Sequence, residues 1–530
     1  MIVKVISAAL KGVEAYRLEV EVDGSYGIMT MLIVGLPDKA VNESRDRVQS
    51  ALLNAGYQYP NMRVTVNLAP ADVKKEGPAY DLPIALGLLG VSNQLNQNGL
   101  TKTAAIGELA LDGRVRPIRG ALPIALELKR LGHKHLLMPA ENAEEAAVVD
   151  GIEILPVSHL SEAVGYINSQ TIIHPYVADI EGYFENPPGV EEHLDFADVR
   201  GQESAKRAAE VAAAGGHNLI LIGAPGGGKT MIAKRIPTIL PRLNLDEALE
   251  TTKLHSIAGL TSREVPLITR RPFRAPHHTI SEAGLIGGGS IPRPGEVSLA
   301  HHGVLFLDEL PEFNRRTLEV LRQPLEDGKV TIGRATMTCD FPAQLMLVAA
   351  MNPCPCGFLG HPKKHCVDTS NQIENYRNRI SGPLLDRIDI QLEVPPVDFD
   401  ELHHHPPGEP SKEIRKRVQQ ARDIQARRFG LNDRPAQAGA DHHEAGKPPT
   451  YCNARMTERE VRKHCALTRQ SEALLKQAMD AMTLSARAYM RILKVARTIA
   501  DLEGTEQIAE HHLSEAIQYR HLDRPLLESM

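Results

Sequence analysis

The chain has 530 residues, of which 42% are hydrophobic, and a formal net charge of −6; that length suits about three or four domains with separate cores, and the charge neither requires nor excludes a nucleic-acid partner. Six cysteines, three of them clustered at Cys354, Cys356 and Cys366, exclude a small secreted disulfide framework and point to a reducing compartment, the cytoplasm. The start MIVKVISAALKGVEAYRLEV places Lys4 and Lys11 inside its apolar stretch, unlike a signal peptide, and no apolar run reaches the roughly 18 residues of a membrane span.

Residues 1–170 alternate short β-like runs (VKVISAAL, YRLEVEV, IMTMLIVG, RVTVNLAP, LLMPA) with helical segments such as AVNESRDRVQSALLNAG and ALPIALELKRLG, which predicts one mixed α/β domain. Residues 171–196 lose periodicity and include NPPG at 186–189, the composition of a linker. Between 197 and 400 strands and helices alternate as a parallel α/β sheet requires. Residues 401–454 form a second linker region in which Pro/Gly/His-rich breaks flank a charged helix, KEIRKRVQQARDIQARRFG, and 455–530 read as a helical domain.

The chemistry is concentrated in the 197–400 segment. GAPGGGKT, from Gly223 through Ala224, Pro225, Gly226, Gly227 and Gly228 to Lys229 and Thr230, follows the apolar strand NLILI and opens a helix beginning with Met231. That strand–loop–helix context is the one in which backbone N–H groups wrap nucleotide phosphates, the lysine reaches the β/γ-phosphates and the threonine hydroxyl ligates Mg²⁺. GVLFLDEL then ends a buried strand in Asp308, a second Mg²⁺ ligand through water, and Glu309, which orients the attacking water. GKVTIGRATMTCDFPA reads as a β-hairpin around Gly333 and Arg334. QLMLVAAMN delivers Asn352, placed to position the same water. CPCGFLGHPKKHC follows, and Cys354, Cys356 and Cys366 with His365 or His361 have the donor chemistry of a tetrahedral Zn²⁺ site. LLDRIDI places Arg387 after a helix as an arginine finger for a neighbouring subunit, and LSARAYMRILKVARTIADL sets Arg487 at the start of a carboxyl-terminal helix.

In this order the motifs resemble an AAA+ ATPase. The resemblance implies a homo-hexameric ring, a helical lid whose Arg487 senses the nucleotide, and Val199 in VRGQ beside the adenine. ATP is favoured over GTP because no NKxD-type guanine-reading motif is present. The gap from Lys229 to Asp308 holds FRAPHHTISEAGLIGGGSIPRPGEVSLAHHGVLFLDEL, similar to the helix-2 insert of the magnesium-chelatase-like branch, in which the hairpin enters the ring pore; Arg334 and Lys329 are then the candidates for DNA contact. GLPDKAVNESRDRVQSAL, NLAPADVKKEGPAYDLPIALG and GELALDGRVRPIRGALPIA resemble the ComM/YifB family, whose amino-terminal domain has the Lon-protease fold. The positions matching the Lon serine and lysine are Ala79 and Leu122, so neither a nucleophile nor a base for proteolysis is present. The family resemblance implies a DNA-stimulated ATPase that drives branch migration of single-stranded or branched DNA during natural transformation. A protein-remodelling ATPase and a magnesium-chelatase motor subunit are the other readings.

Overall fold

The computed structural model describes residues 1–185, 194–289, 292–334, 337–396, 406–430, 450–482 and 484–520. The NPPG stretch, His403 to His405 and the Pro/Gly/His-rich 433–449 lie outside the described residues. The chain divides into two compact units, one of Met1–Val190, Ala248–Thr269 and Gly333–Asp340, the other of Glu191–Glu247, Arg270–Ile332 and Phe341–Met530.

The first unit is built on a seven-stranded mixed sheet in the spatial order Thr30–Val34, Arg63–Ala69, Glu14–Ser25, Ile2–Lys11, Thr103–Ala105, His135–Pro139, Glu153–Val157. The first two strands of the chain pair antiparallel from Ile2↔Asp23 to Lys11↔Glu14, and alternation in the second buries Leu18, Val20 and Val22 while turning acidic residues outward. Helix Asp81–Val91 is buried at every position, so it carries no amphipathic stripe. Its glycines let it approach the sheet: a Cβ on Gly87 would lie 2.4 Å from Val22 Cγ2, and one on Gly90 would lie 2.8 Å from Val3 Cγ1. Segment 171–185, aperiodic in sequence, carries the short helix Ile180–Glu185, held where the Tyr183 hydroxyl donates to Glu144 at 2.7 Å. Residues 248–269 are anchored by the buried Glu145, which accepts from Thr261 at 2.9 Å, from Ser256, and from the Leu122 N–H at 3.0 Å.

The second unit contains a five-stranded sheet ordered Phe273–Arg274, Val304–Leu307, Met346–Met351, Leu219–Ile222, Ile390–Glu393, with every pairing parallel. VLFL, MLVAAM and LILI are buried along their whole lengths, as expected of parallel strands covered on both faces. Helices Ser411–Arg428, Arg469–Met482, Ala486–Leu502 and Glu510–Gln518 belong to the same unit. Among the described residues no helix is long and apolar enough to cross a membrane.

A buried polar network ties these helices to the sheet. Asp389, just before strand Ile390–Glu393, accepts from the Asn218 N–H at 3.1 Å and contacts His217 Nδ1 at 3.3 Å and Arg491 of helix Ala486–Leu502. Burial alone would raise its carboxyl, but Arg491, His217 and Lys494 outweigh that and hold it well below the usual carboxylate range. A depressed carboxylate contributes stability that is present above its unfolded value, near pH 4, and lost as pH falls toward the folded value. Asp389→Asn is therefore expected to lower stability by about 2–4 kcal/mol at neutral pH, by removing the buried carboxylate that the half-buried Arg491 pairs with. In urea melts the gap between variant and wild type should narrow below about pH 4; a gap independent of pH would show that the charge is not the cause.

Candidate nucleotide and metal sites

Parallel register brings the separated motifs to one edge. Ile222 pairs with Met351 and Leu307 with Ala349, so the residues that follow these strands, Gly223, Asp308 and Asn352, all emerge at the carboxyl ends, where open α/β sheets bind ligands. The loop between them needs glycine: Gly226 and Gly228 adopt φ of +81° and +83°, and a Cβ on Gly223 would meet the Val394 carbonyl at 2.2 Å. Helix Lys229–Ile239 then starts with no acidic residue in its first turn, leaving its N–H groups and positive dipole end to an anion.

Lys229 is buried and donates to the carbonyls of Gly223 at 2.6 Å and Ala224 at 2.9 Å and to Asn352 Oδ1 at 3.2 Å. Burial lowers its ammonium, against the pull of Asp308 and Glu309. The Thr230 hydroxyl donates to Asp308 Oδ2 at 2.8 Å. Two hydrogen-bonded pairs, Lys229–Asn352 and Thr230–Asp308, thus start from adjacent residues of the helix, and a hydroxyl beside a carboxylate is the hard oxygen pair that Mg²⁺ prefers. Glu309 sits at φ +52°, a conformation that non-glycine residues hold only where surroundings impose it. Its side chain is exposed, and its Oε2 lies 3.8 Å from His278 Nδ1. His278 was not apparent from sequence, because only the fold carries the APHH segment to the end of strand Val304–Leu307.

Of the other expected nucleotide residues, Met231 is exposed on the helix, and Val199 is buried with its carbonyl accepting from Lys206 Nζ at 3.3 Å. Gln202, the last residue of VRGQ, donates to the Pro395 carbonyl at 2.7 Å and reaches Gly227 O at 3.5 Å. Arg387 is turned inward: it is buried, donates to the Pro383 carbonyl at 2.7 Å and pairs with Glu326. Arg487 is exposed, 4.0 Å from Asp386. Lys329 and Arg334 are exposed on strand Lys329–Arg334, which with Met337–Pro342 makes the expected hairpin; Gly333 and Arg334 close the first strand, and residues 335–336 lie outside the described residues. At Ala79 the carbonyl accepts from the Gly107 N–H at 2.8 Å, and Leu122 is a buried core side chain whose N–H donates to Glu145.

The cysteine cluster closes as a set of four, but with Asp368, not His365, as the fourth member. Sγ separations are 3.4 Å (Cys354–Cys356), 3.6 Å (Cys354–Cys366) and 3.5 Å (Cys356–Cys366), and Asp368 Oδ2 lies 3.7 Å from Cys366 Sγ. Donors on a zinc tetrahedron stand about 3.8 Å apart for Zn–S bonds of about 2.3 Å. The Cys356 N–H donates to Asp368 Oδ2 at 2.8 Å and aims that carboxylate inward, whereas His365 is exposed on the outer turn and the His361 Nδ1 accepts from the Lys363 and Lys364 N–H groups. Burial, then the Asp368 carboxylate, pushes the Cys354 thiol up to about 12, the discomfort that a cation relieves. Glu503, His511 and His512 also converge, but the Ala509 N–H donates to His512 Nδ1 at 2.9 Å, so neutral His512 carries its proton on Nε2 and offers no lone pair there to a metal.

Matches to known proteins extend along most of the chain. Residues 195–402 match the family described as magnesium chelatase, subunit ChlI; residues 20–142 match subunit ChlI of Mg-chelatase, and residues 408–520 match the ChlI carboxyl-terminal region. The chain is 43% identical over 525 residues to competence protein ComM of Haemophilus influenzae, covering 98% of both chains. It is 42% identical over 523 residues to the uncharacterized protein YifB of Escherichia coli, covering 98% of this chain and 97% of that one. Lon protease 2 of Bacillus subtilis is 31% identical over 140 residues, 26% of this chain and 25% of that protein.

Proposed function

This chain belongs to the ComM/YifB family of magnesium-chelatase-like proteins, and from that premise we propose that it is a cytoplasmic, ring-forming ATPase that translocates on DNA and promotes branch migration of incoming single strands in natural transformation. The observation that carries the ATPase part is the pair of contacts Lys229–Asn352 and Thr230–Asp308, set side by side at the carboxyl edge of a parallel sheet. The DNA part is supported by the competence designation of the Haemophilus influenzae relative and by the two exposed cations of the Lys329–Arg334 strand.

In this reading Lys229 and the N–H groups of loop 223–228 hold the phosphates of ATP, Thr230 and Asp308 hold Mg²⁺, and Glu309 and Asn352 orient the lytic water. Bound Mg²⁺ would neutralise charge on the β- and γ-phosphates. Arg387 of a neighbouring subunit completes the site, which requires the Glu326 pair to open on ring assembly. Arg487 couples the nucleotide to the helical domain, and the Lon-like amino-terminal domain, with no hydroxyl at Ala79 and no amine at Leu122, serves assembly or DNA engagement. Cys354, Cys356, Cys366 and Asp368 hold zinc.

ATP hydrolysis by the purified protein, measured with and without single-stranded and forked DNA, tests the assignment. DNA should raise turnover, and Arg334→Ala should keep the basal rate while losing most of the stimulation, because one phosphate contact is removed and the nucleotide site is untouched. Turnover indifferent to every DNA form would move the substrate to protein.

A further inference from the structure

The four-donor knuckle lies directly after Asn352 and turns back onto the phosphate loop. Gly357, between Cys356 and Cys366, has φ +81°, and a Cβ there would stand 2.6 Å from Pro225 Cδ and 3.8 Å from Asn352 Cγ. Pro225 is the third residue of the phosphate loop, and Asn352 accepts from Lys229 at 3.2 Å. From the far side, Arg377 Nε donates to the Pro353 carbonyl at 3.3 Å, and helix Ser370–Arg377 starts from Thr369, one residue beyond Asp368. The knuckle backbone therefore forms a wall against which the loop rests, and its shape depends on four side chains, drawn from residues 354–368, being held together. Three sulfurs and a carboxylate oxygen converge within 4.8 Å of one another, the separation at which one cation can join all four.

We propose that zinc bound by Cys354, Cys356, Cys366 and Asp368 is a strut for the phosphate loop, so that occupancy of the knuckle sets nucleotide affinity through the contact of Gly357 with Pro225. This rests on the zinc and ATP readings above and adds a dependence of one on the other. Zinc takes no part in the reaction; it fixes the Cys354–Cys366 turn, which fixes the position of Pro225 and of Asn352 beside Lys229. The thiolate-rich donor set favours a soft or borderline metal over Mg²⁺, so the two cations do not compete for one site.

The full chain purified without chelator should carry about one zinc per chain by elemental analysis. Cys366→Ser should lose the metal and bind a fluorescent ATP analogue about tenfold more weakly or worse. Because that variant removes a metal ligand and disturbs the local fold, Gly357→Ala supplies the independent arm: all four donors remain, zinc content should stay at one equivalent, and affinity should still fall about tenfold as the methyl displaces Pro225. The double variant Gly357→Ala/Pro225→Ala should recover the part of that loss that comes from the clash with Pro225, leaving the part that comes from the left-handed backbone at 357, a coupling between positions 357 and 225 that general destabilisation does not produce. The proposal is overturned if wild type holds less than about a tenth of an equivalent of zinc, if Cys366→Ser loses zinc yet binds the analogue like wild type, or if the Gly357 and Pro225 effects simply add. A wild type that holds zinc and binds no nucleotide would instead contradict the ATPase reading.

Discussion

Lys229→Ala should abolish ATP turnover, lowering it by about 100-fold or more, while leaving the thermal unfolding midpoint within a few degrees of wild type. Lys229 is buried with its ammonium on two loop carbonyls and Asn352, and those three acceptors are the ones it must exchange for phosphate oxygens. Truncation therefore removes a cation aimed at the position where negative charge accumulates. It leaves behind carbonyls that water can satisfy. Asp308→Ala should give a similar loss by a different route, since Thr230 then loses its 2.8 Å acceptor and the Mg²⁺ pair is broken; raising Mg²⁺ should recover part of the Asp308 variant's activity and none of the Lys229 variant's. If Lys229→Ala kept more than about a tenth of wild-type turnover, the loop would not be the phosphate cradle.

The second large effect concerns Arg387. As a finger acting across a subunit boundary it should contribute about 10³-fold or more to turnover, so Arg387→Ala should be nearly inactive alone. It should still bind nucleotide, because its own loop, Lys229 and Asp308 are intact. Mixing is the decisive arm. In a head-to-tail ring, a subunit with intact Lys229 beside one with intact Arg387 rebuilds a whole site, so equal amounts of Lys229→Ala and Arg387→Ala protein should regain activity at roughly a quarter of the interfaces. No recovery on mixing would confine Arg387 to its pair with Glu326, a structural role within one chain.

The nucleotide site is the most legible part of this chain, because its motifs need adjacency to strands that are themselves plain in sequence. NLILI, GVLFL and QLMLVAAM are continuous apolar runs, and runs of that kind become neighbouring parallel strands whose ends coincide. Less visible elements have physical reasons for their silence. Helix Asp81–Val91 is buried on all sides, so no 3.6-residue stripe marks it. Strand Thr103–Ala105 is too short to show alternation, and Glu153–Val157 contains Pro156, tolerated because that strand is at the sheet edge. Asp368 as the fourth knuckle donor depends on the Cys356 N–H that orients it, and the Arg387–Glu326 pair joins residues far apart in sequence. Neither has a sequence spacing that announces it. His278 beside Glu309 is similar: the paired histidines are visible, their destination is not.

ATP-driven branch migration is the central claim, and a labelled three-strand junction with a single-stranded invading arm tests it most directly. Wild-type protein should release the displaced strand only when ATP and Mg²⁺ are both present, a non-hydrolysable analogue should support binding without release, and Lys229→Ala and Arg387→Ala should leave the junction intact. Strand release that proceeds equally without ATP, or an intact junction under conditions in which the same DNA stimulates hydrolysis, would contradict the account.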